Sequence, residues 1–329
     1  MALEMDGTNM TSSADPGSSE RNGIPVIDLT GYFAGDGPAS EMATKALRSA
    51  LEEVGFFVIT GHGVDWSLVD TAYAEAERFF DLSETEKQAV AIPGSFSDKY
   101  GKRGYMGFTS DAYGSTRGTN RIESFYFGHE QAGQNNWPAD LGSFRDAMLS
   151  YLQAVDDLAY RLLSLYARAL ELDRDYFASY FDAPAVSFRA AHYPPTTEPG
   201  TWGLMPHTDR AFMTLLPNNA VAGLQIRPEG SDWLEAPVVE KAFIINSGDT
   251  LRRWTNDRFL STPHRVVPPI GHRYSLPYFY SPSIDKTMSV LPTCFSGERP
   301  ARYAPVTFDD FNREYFDPAY RPNDARLAG

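Results

Sequence analysis

The sequence predicts a mainly β fold with flanking helices, in which a helical N-terminal half packs on an all-β core. Three observations carry this. Apolar residues recur every three or four positions as far as about residue 171, and at every second position from about residue 185. Turn residues then cut the second half into many short runs at roughly even spacing, the pattern of a β-sandwich or barrel. The 329 residues, 42% hydrophobic and 22% charged, suffice for a sizeable core and exclude whole-chain disorder.

The first ordered run is Ile24-Pro25-Val26-Ile27-Asp28-Leu29, of β type. Residues 40–54 read as a helix with Ser40 as N-cap and Ala43, Leu47, Ala50, Leu51 and Val54 on one face, stopped by Gly55. Phe56-Phe57-Val58-Ile59 reads as a buried strand and 66–80 as a second amphipathic helix. Ser83 and Glu86, three apart, mark another helix start. Residues 93–137, rich in Gly, Ser, Tyr and Asn, read as loops with short strands. A long helix follows over 141–171, with a stripe through Leu149, Leu152, Val155, Leu158, Leu162 and Leu165. The β half then reads as strands at 186–190, 212–216, 223–227, 233–235, 242–246, 250–254, 265–267 and 273–280. A helix near 307–316 closes the chain.

The charge is 29 − 43 = −14, so the chain lacks the electrostatic term that dominates nucleic-acid binding. Apolar runs such as Ala242–Ile245 fall far short of the ~18–20 residues that span a bilayer. The one cysteine, Cys294, allows no intramolecular disulfide, and residues 1–22 contain no apolar signal region. A cytoplasmic, monomeric protein without nucleic-acid or membrane partners is the expectation.

His207 and Asp209 sit in Met205-Pro206-His207-Thr208-Asp209. On a strand, side chains two apart share a face, so both can aim at one point. His264 begins another candidate strand. Two histidines and one carboxylate form the facial triad of non-haem Fe(II) oxygenases, which leaves positions open on the metal. His-X-Asp alone is more often an Asp orienting its neighbour, and the same ligands would serve a zinc hydrolase. Arg273 and Ser275 are again two apart, and a guanidinium beside a hydroxyl makes a carboxylate clamp.

With these residues in place, the chain resembles the isopenicillin-N-synthase-like group of iron- and 2-oxoglutarate-dependent dioxygenases. The resemblance runs from about residue 24 to 317. It rests on an ordered series: IPVIDL (24–29), GFFVITGHGV (55–64), SETEK (83–87), RGYMGF (103–108), ESFYFG (123–128), FRAAHYPP (188–195), HTDRAFMTLL (207–216), GLQI (223–226), NSGDTLRRWTNDRFLSTPHRV (246–266) and RYSLPYFYSP (273–282). It implies that His207, Asp209 and His264 hold Fe(II). It also implies that Arg273, Ser275 and Tyr193 bind the far carboxylate of 2-oxoglutarate, with O₂ as second co-substrate. The implied core is a distorted double-stranded β-helix, a cupin-like jelly roll. Residues 1–22 then form a tail and 23–320 one domain: 23–184 mostly helical, 185–285 the jelly roll with the metal site, 286–320 a C-terminal cap. Residues 321–329 form a second tail.

The sequence departs from the group at Ala191, where many relatives carry Asn, and at Asp257, where Gly is common; Asn256-Asp257 reads as a tight hairpin. His62, His192, His272 and His129 are expected outside the metal site, on alternation or loop logic. Specificity is expected from 96–127 and 283–320. Lys102, Arg103, Arg117 and Arg121 make the first of these segments locally basic. Arg103, Tyr105, Arg117, Tyr126 and Phe279 are the candidate substrate contacts, and Tyr113 and Trp202 could also line the pocket. The implied reaction oxidises a small molecule while 2-oxoglutarate becomes succinate and CO₂. Two alternatives share the residues: an Fe(II) oxidase that clamps its own substrate's carboxylate, and a non-catalytic small-molecule receptor.

Overall fold

The structure is a computed structural model that describes residues 18–92, 103–108, 119–218 and 221–316. Strand β1 (Ser18–Arg21) folds back on β2 (Ile24–Asp28) through Asn22-Gly23, both at positive φ, the geometry of a two-residue hairpin. Residues 18–22 therefore belong to the sheet, and the N-terminal tail expected over 1–22 is shortened accordingly. The missed signal was the Asn-Gly dipeptide.

A single turn, α1 (Thr30–Phe33), leads to α2 (Gly37–Glu53), whose Asp36 side chain accepts from the Ala39 amide. Asp36 thus caps the helix, one turn before the expected Ser40. Gly55, at φ +73°, ends it as expected, its amide donating to the Ala50 carbonyl. Next come β3 (Phe56–Thr60), α3 (Trp66–Phe80) and α4 (Glu84–Ala89), the last with the full Ser83–Glu86 capping box. Strands β4 (Gly104–Met106), β5 (Thr119–Asn120) and β6 (Glu123–Phe127) precede the long helix α5 (Gly142–Ala169).

The β half begins with β7 (Ala185–Tyr193), β8 (Thr201–Trp202), β9 (Leu204–His207), β10 (Met213–Pro217), β11 (Leu224–Ile226), β12 (Leu234–Glu235) and β13 (Phe243–Ser247). Residues Thr250–Trp254, expected as a strand, lie in helix α6 (Asp249–Trp254). The Asp249 and Thr250 amides donate to the Asp209 and Arg210 carbonyls, so a neighbouring loop caps this turn in a way period counting cannot see. Asn256 and Asp257, both at positive φ, end that helix and form no hairpin; the Asn256 side chain bonds the Cys294 and Pro300 carbonyls. Then come β14 (His264–Val266), β15 (Arg273–Ser275), β16 (Tyr278–Ser281), β17 (Thr287–Met288), β18 (Val306–Thr307) and α7 (Phe308–Phe316). Leu276-Pro277 splits the run expected over 273–280 into two strands.

Two sheets face each other. The major one runs β1-β2-β3-β13-β10-β16-β7-β6-β4, with β15 also on β7; the minor one runs β12-β11-β14-β9. This is the expected jelly-roll core with its helical N-terminal half. Alternation gives the major sheet two apolar faces. Phe57, Ile59, Phe125, Phe127 and Phe188 pack outward on α2, α3 and α5. Phe56, Val58 and Ile244 pack inward on Leu224 and Ile226 of the minor sheet. In α5 the expected stripe is buried at Leu152, Val155, Leu158, Leu162 and Leu165, with Met148 deeper than Leu149. No described helix is long and apolar enough to cross a membrane.

Phe79 sits at the centre of the outer core, stacked on Phe144 at 4.8 Å and edge-on to Phe125 at 5.0 Å. Phe79→Ala is expected to cost about 3–5 kcal/mol. Ser83→Ala, which removes only the capping box, should cost about 1 kcal/mol. Denaturant unfolding of the two variants checks the contrast.

Candidate metal centre

His207 ends β9 and His264 begins β14, and the two are direct cross-strand partners. Their rings lie 4.3 Å apart. Each Nδ1 faces a carbonyl two residues back: Met205 O at 2.8 Å and Thr262 O at 3.1 Å. A carbonyl only accepts, so each Nδ1 carries a proton and Nε2 is the ring atom turned toward a metal. Asp209 Oδ1 completes the group at 3.8 Å from His207 Nε2 and 3.6 Å from His264 Nε2. The three donor atoms lie within 4.8 Å of one another, two imidazoles and one carboxylate around one point. That donor set suits a divalent transition metal with positions left open.

The opposite sheet holds the carboxylate. Asp209 Oδ2 accepts from Thr214 Oγ1 (2.6 Å, β10) and Asn246 Nδ2 (2.9 Å, β13). Gly248 keeps the approach close: a Cβ there would meet the Ala211 carbonyl at 2.3 Å and the Asp209 carbonyl at 2.6 Å. Thr214, Asn246 and Gly248 went unpredicted. Their spacing from Asp209 carries no local pattern, because they meet it only through sheet register.

The electrostatics favour metal over proton. Loss of hydration, then repulsion from His264, push the His207 imidazole down from its ordinary 6.5 to about 3. Burial alone would raise the Asp209 carboxyl. His264, His207 and the Thr214 and Asn246 hydrogen bonds outweigh it and hold the group below the usual carboxylate range. At neutral pH His207 is therefore neutral and Asp209 ionised, as metal ligands must be.

Arg273, Ser275 and Tyr193 also share one place. Strand β15 pairs with β7 in the register Arg273↔Tyr193 and Ser275↔Ala191, so all three side chains belong to the inward face. All three are buried, and the guanidinium lies 5.1 Å from the centre of the Tyr193 ring. Arg273 Nε donates to the Val221 carbonyl at 3.2 Å, whereas its buried Nη1 has no partner among the described residues. The side chain lines a recess walled by Leu216, Leu224 and Ile244. A buried guanidinium with a donor unpartnered among the described residues, beside a recess, fits a carboxylate ligand.

The expected substrate contacts divide. Arg103 is spent on the loop: its Nη1 donates to the His129 and Gly133 carbonyls and to Asn135 Oδ1. Tyr105 is fully buried on the helix side, where its hydroxyl donates to Glu123 Oε2 at 2.6 Å. Neither can line a pocket at the metal. Tyr126 and Phe279 do belong to the inward face, by their register with Arg189 and Ser187. Arg117, Lys102 and Tyr113 lie outside the described residues. Trp202 is stacked with Arg265 (4.8 Å), and Arg121 with Phe108 (5.5 Å). Arg189, which sequence reasoning missed, shares the inward face of β7 two alternations before Tyr193, with its guanidinium 5.7 Å from the Phe279 ring centre. Period-two counting back from Tyr193 would have found it. His62 fills the structural role expected, bonded to the Lys241 carbonyl and the Val64 amide. His192 and His272 lie on the helix side and bond each other at 2.8 Å.

Comparison with known proteins matches residues 184–282 to the 2OG-Fe(II) oxygenase superfamily and residues 24–140 to the "non-haem dioxygenase in morphine synthesis N-terminal" family. A 2-oxoglutarate-Fe(II) type oxidoreductase, hxnY of Emericella nidulans, is 32% identical over 90% of this chain and 90% of its own length. Jasmonate-induced oxygenase 2 of Arabidopsis thaliana is 29% identical over 88% of this chain and 78% of its own. Among solved structures, a full-length Neurospora crassa protein in complex with alpha-KG aligns with TM-score 0.82 at 25% identity, covering 89% of this chain and 95% of that one. JOX2 in complex with 2OG, Fe and JA aligns with TM-score 0.77 at 26% identity, covering 93% and 90%.

Thr214→Val removes one of the two hydrogen bonds on Asp209 and should weaken Fe(II) binding by about 10-fold, measured by anaerobic titration. The His207 shift sets an acid limit. As pH falls from 6.5 towards about 3, the unfolded chain binds a proton that the folded imidazole refuses, so the metal-free protein loses stability across that window. Thermal unfolding against pH should show the loss, and His207→Gln should flatten it.

Proposed function

The chain belongs to the 2OG-Fe(II) oxygenase superfamily, and from that premise we propose that His207, Asp209 and His264 hold Fe(II) and that Arg273, Ser275 and Tyr193 hold 2-oxoglutarate. The protein is a non-haem Fe(II)- and 2-oxoglutarate-dependent oxidoreductase acting on a small molecule. The observation that carries the co-substrate assignment is the buried Arg273 Nη1 beside Tyr193, without a partner among the described residues.

Bound Fe(II) supplies the open coordination positions at which 2-oxoglutarate and O₂ are brought together, and 2-oxoglutarate is consumed to succinate and CO₂ as the substrate is oxidised. The protein's contribution is placement. Two neutral imidazoles and one carboxylate leave the metal with a net charge near +1, matched to a dianionic 2-oxo acid. Arg273 neutralises the distal carboxylate with charge-assisted hydrogen bonds, and Ser275 and Tyr193 fix its orientation. The side chains of Leu216, Leu224 and Ile244 beside Arg273 suit contact with the co-substrate's methylene carbons. Asp209, tied to Thr214 and Asn246, cannot swing off the metal to accept a proton.

The substrate wall is assigned to the large inward residues of β6, β7 and β16: Tyr126, Arg189 and Phe279. An aromatic floor with one guanidinium suits a small organic molecule bearing a polar or acidic group. JOX2, a structural relative, was crystallised with JA.

An anaerobic titration tests the assignment. Adding 2-oxoglutarate to the Fe(II)-loaded protein should produce a visible metal-to-ligand charge-transfer band. The band should be absent in His207→Ala, and in Arg273→Ala it should need about 100-fold more 2-oxoglutarate, as expected for loss of a charge-assisted pair. Iron binding without any band would instead support an oxidase that clamps its own substrate's carboxylate.

A further inference from the structure

Behind the co-substrate clamp lies a second cluster of ionisable side chains, buried on the helix side of the major sheet. Its centre is Glu123 of β6. Glu123 Oε2 accepts from Lys87 Nζ at 2.8 Å and Tyr105 Oη at 2.6 Å, and Oε1 accepts from His192 Nδ1 at 2.7 Å. His192 Nε2 is in turn hydrogen-bonded to Nδ1 of His272, an exposed residue, at 2.8 Å. Burial opposes the charge on Glu123, but the bonds from His192, Lys87 and Tyr105 outweigh it and keep the carboxyl ionised. A buried ion pair is a poor source of stability, because desolvation offsets most of the attraction. Its use here is better sought in what it holds still.

What it holds is the reverse side of the clamp. In register, Glu123 stands opposite His192, His192 opposite Tyr274, and Tyr193 opposite Arg273. Alternation therefore gives β7 and β15 one helix-side set, His192, His272 and Tyr274, and one inward set, Tyr193, Arg273 and Ser275. The helix-side set is a stack: His272 on His192 at 5.0 Å and His192 on Tyr274 at 4.8 Å, with Phe80 beside both. Strand β15 is only three residues long and soon meets Pro277, so its ladder alone gives a weak hold on register. The stack, pinned at His192 by Glu123, supplies the rest.

We propose that Glu123 is a positioning residue for 2-oxoglutarate: through His192 it fixes β7 against β15 and so sets the distance between Tyr193 and Arg273 on the opposite face. This rests on the reading of Arg273, Ser275 and Tyr193 as the co-substrate clamp. The cluster lies on the other side of the sheet from the iron ligands, so iron affinity and co-substrate affinity should separate.

The test uses the Fe(II)-loaded full chain under anaerobic conditions, with 2-oxoglutarate followed by the charge-transfer band and Fe(II) affinity measured separately. Glu123→Gln removes the charge. His192→Phe keeps the stack but loses both hydrogen bonds. Each should weaken 2-oxoglutarate binding by about 10-fold, the equivalent of one lost hydrogen bond, with Fe(II) affinity within about twofold of the parent. Lys87→Met combined with Glu123→Gln should recover thermal stability, since no unpaired buried charge remains, while 2-oxoglutarate stays weakly bound. If Glu123→Gln alone does not fold, the double variant and His192→Phe decide. Folded variants that bind 2-oxoglutarate as the parent does overturn the proposal, as do variants that lose iron and 2-oxoglutarate in parallel. Arg273→Ala separates the two levels: no effect there removes the clamp reading itself, whereas a strong effect there with none in His192→Phe removes only the role of Glu123.

Discussion

The site depends on one buried carboxylate being held from the sheet opposite to its own. His207 and His264 are neighbours within the minor sheet, so their convergence needs only the β9–β14 ladder. Asp209 follows β9 into a loop and would be free to turn away. Hydrogen bonds from Thr214 and Asn246, on two strands of the major sheet, stop it. The triad is thus assembled across the gap between the sheets, and the gap must be correct for it to form. The apolar contacts of Phe56, Val58 and Ile244 with Leu224 and Ile226 set that gap. The polar site and the inner hydrophobic core are two consequences of the same sheet-on-sheet packing.

The same constraint explains local features that are otherwise unfavourable. A carboxylate between two imidazoles, all largely withdrawn from water, would ordinarily cost free energy. Here each polar atom is answered: the imidazole Nδ1 protons by carbonyls, Oδ2 by Thr214 and Asn246, and the Asp209 carbonyl by the first amide of α6. What remains is a set of lone pairs facing one point, the condition that favours a cation. Gly248 belongs to this arrangement because any side chain there would push α6 off the Asp209 loop.

Alternation lets β6, β7 and β15 serve two purposes at once. Phe125, Phe127 and Phe188 on one face build the aromatic core with α3 and α5; Tyr193, Arg273 and Ser275 on the other face the metal side. A one-residue slip would exchange the faces, placing Arg273 in the helix core and Tyr274 in the site.

The His207/Asp209 and Arg273/Ser275 pairs and the division into helical and β halves were legible in the sequence from short-range periodicity, whereas His264 and Tyr193 joined them only through the family resemblance. His207 and Asp209 are two apart, as are Arg273 and Ser275, and a strand sends such pairs to one side whatever surrounds it. Helix α3, the α4 capping box and the α5 stripe were legible for the same reason. The errors lie where a distant partner decides. Thr250–Trp254 alternates like a strand but coils because the Asp209 loop caps its amides. Arg103 and Tyr105 are polar residues in a segment expected to carry specificity, yet one is consumed by loop carbonyls and the other by Glu123. Thr214, Asn246, Gly248 and the Glu123 cluster carry no local signature. By itself the sequence determined which residue pairs, His207 with Asp209 and Arg273 with Ser275, share a strand face, since local backbone geometry fixes the direction of side chains two apart. Only the tertiary structure decided which polar residues support them, because hydrogen-bond partners from separate strands are chosen by register and sheet spacing rather than by distance along the chain.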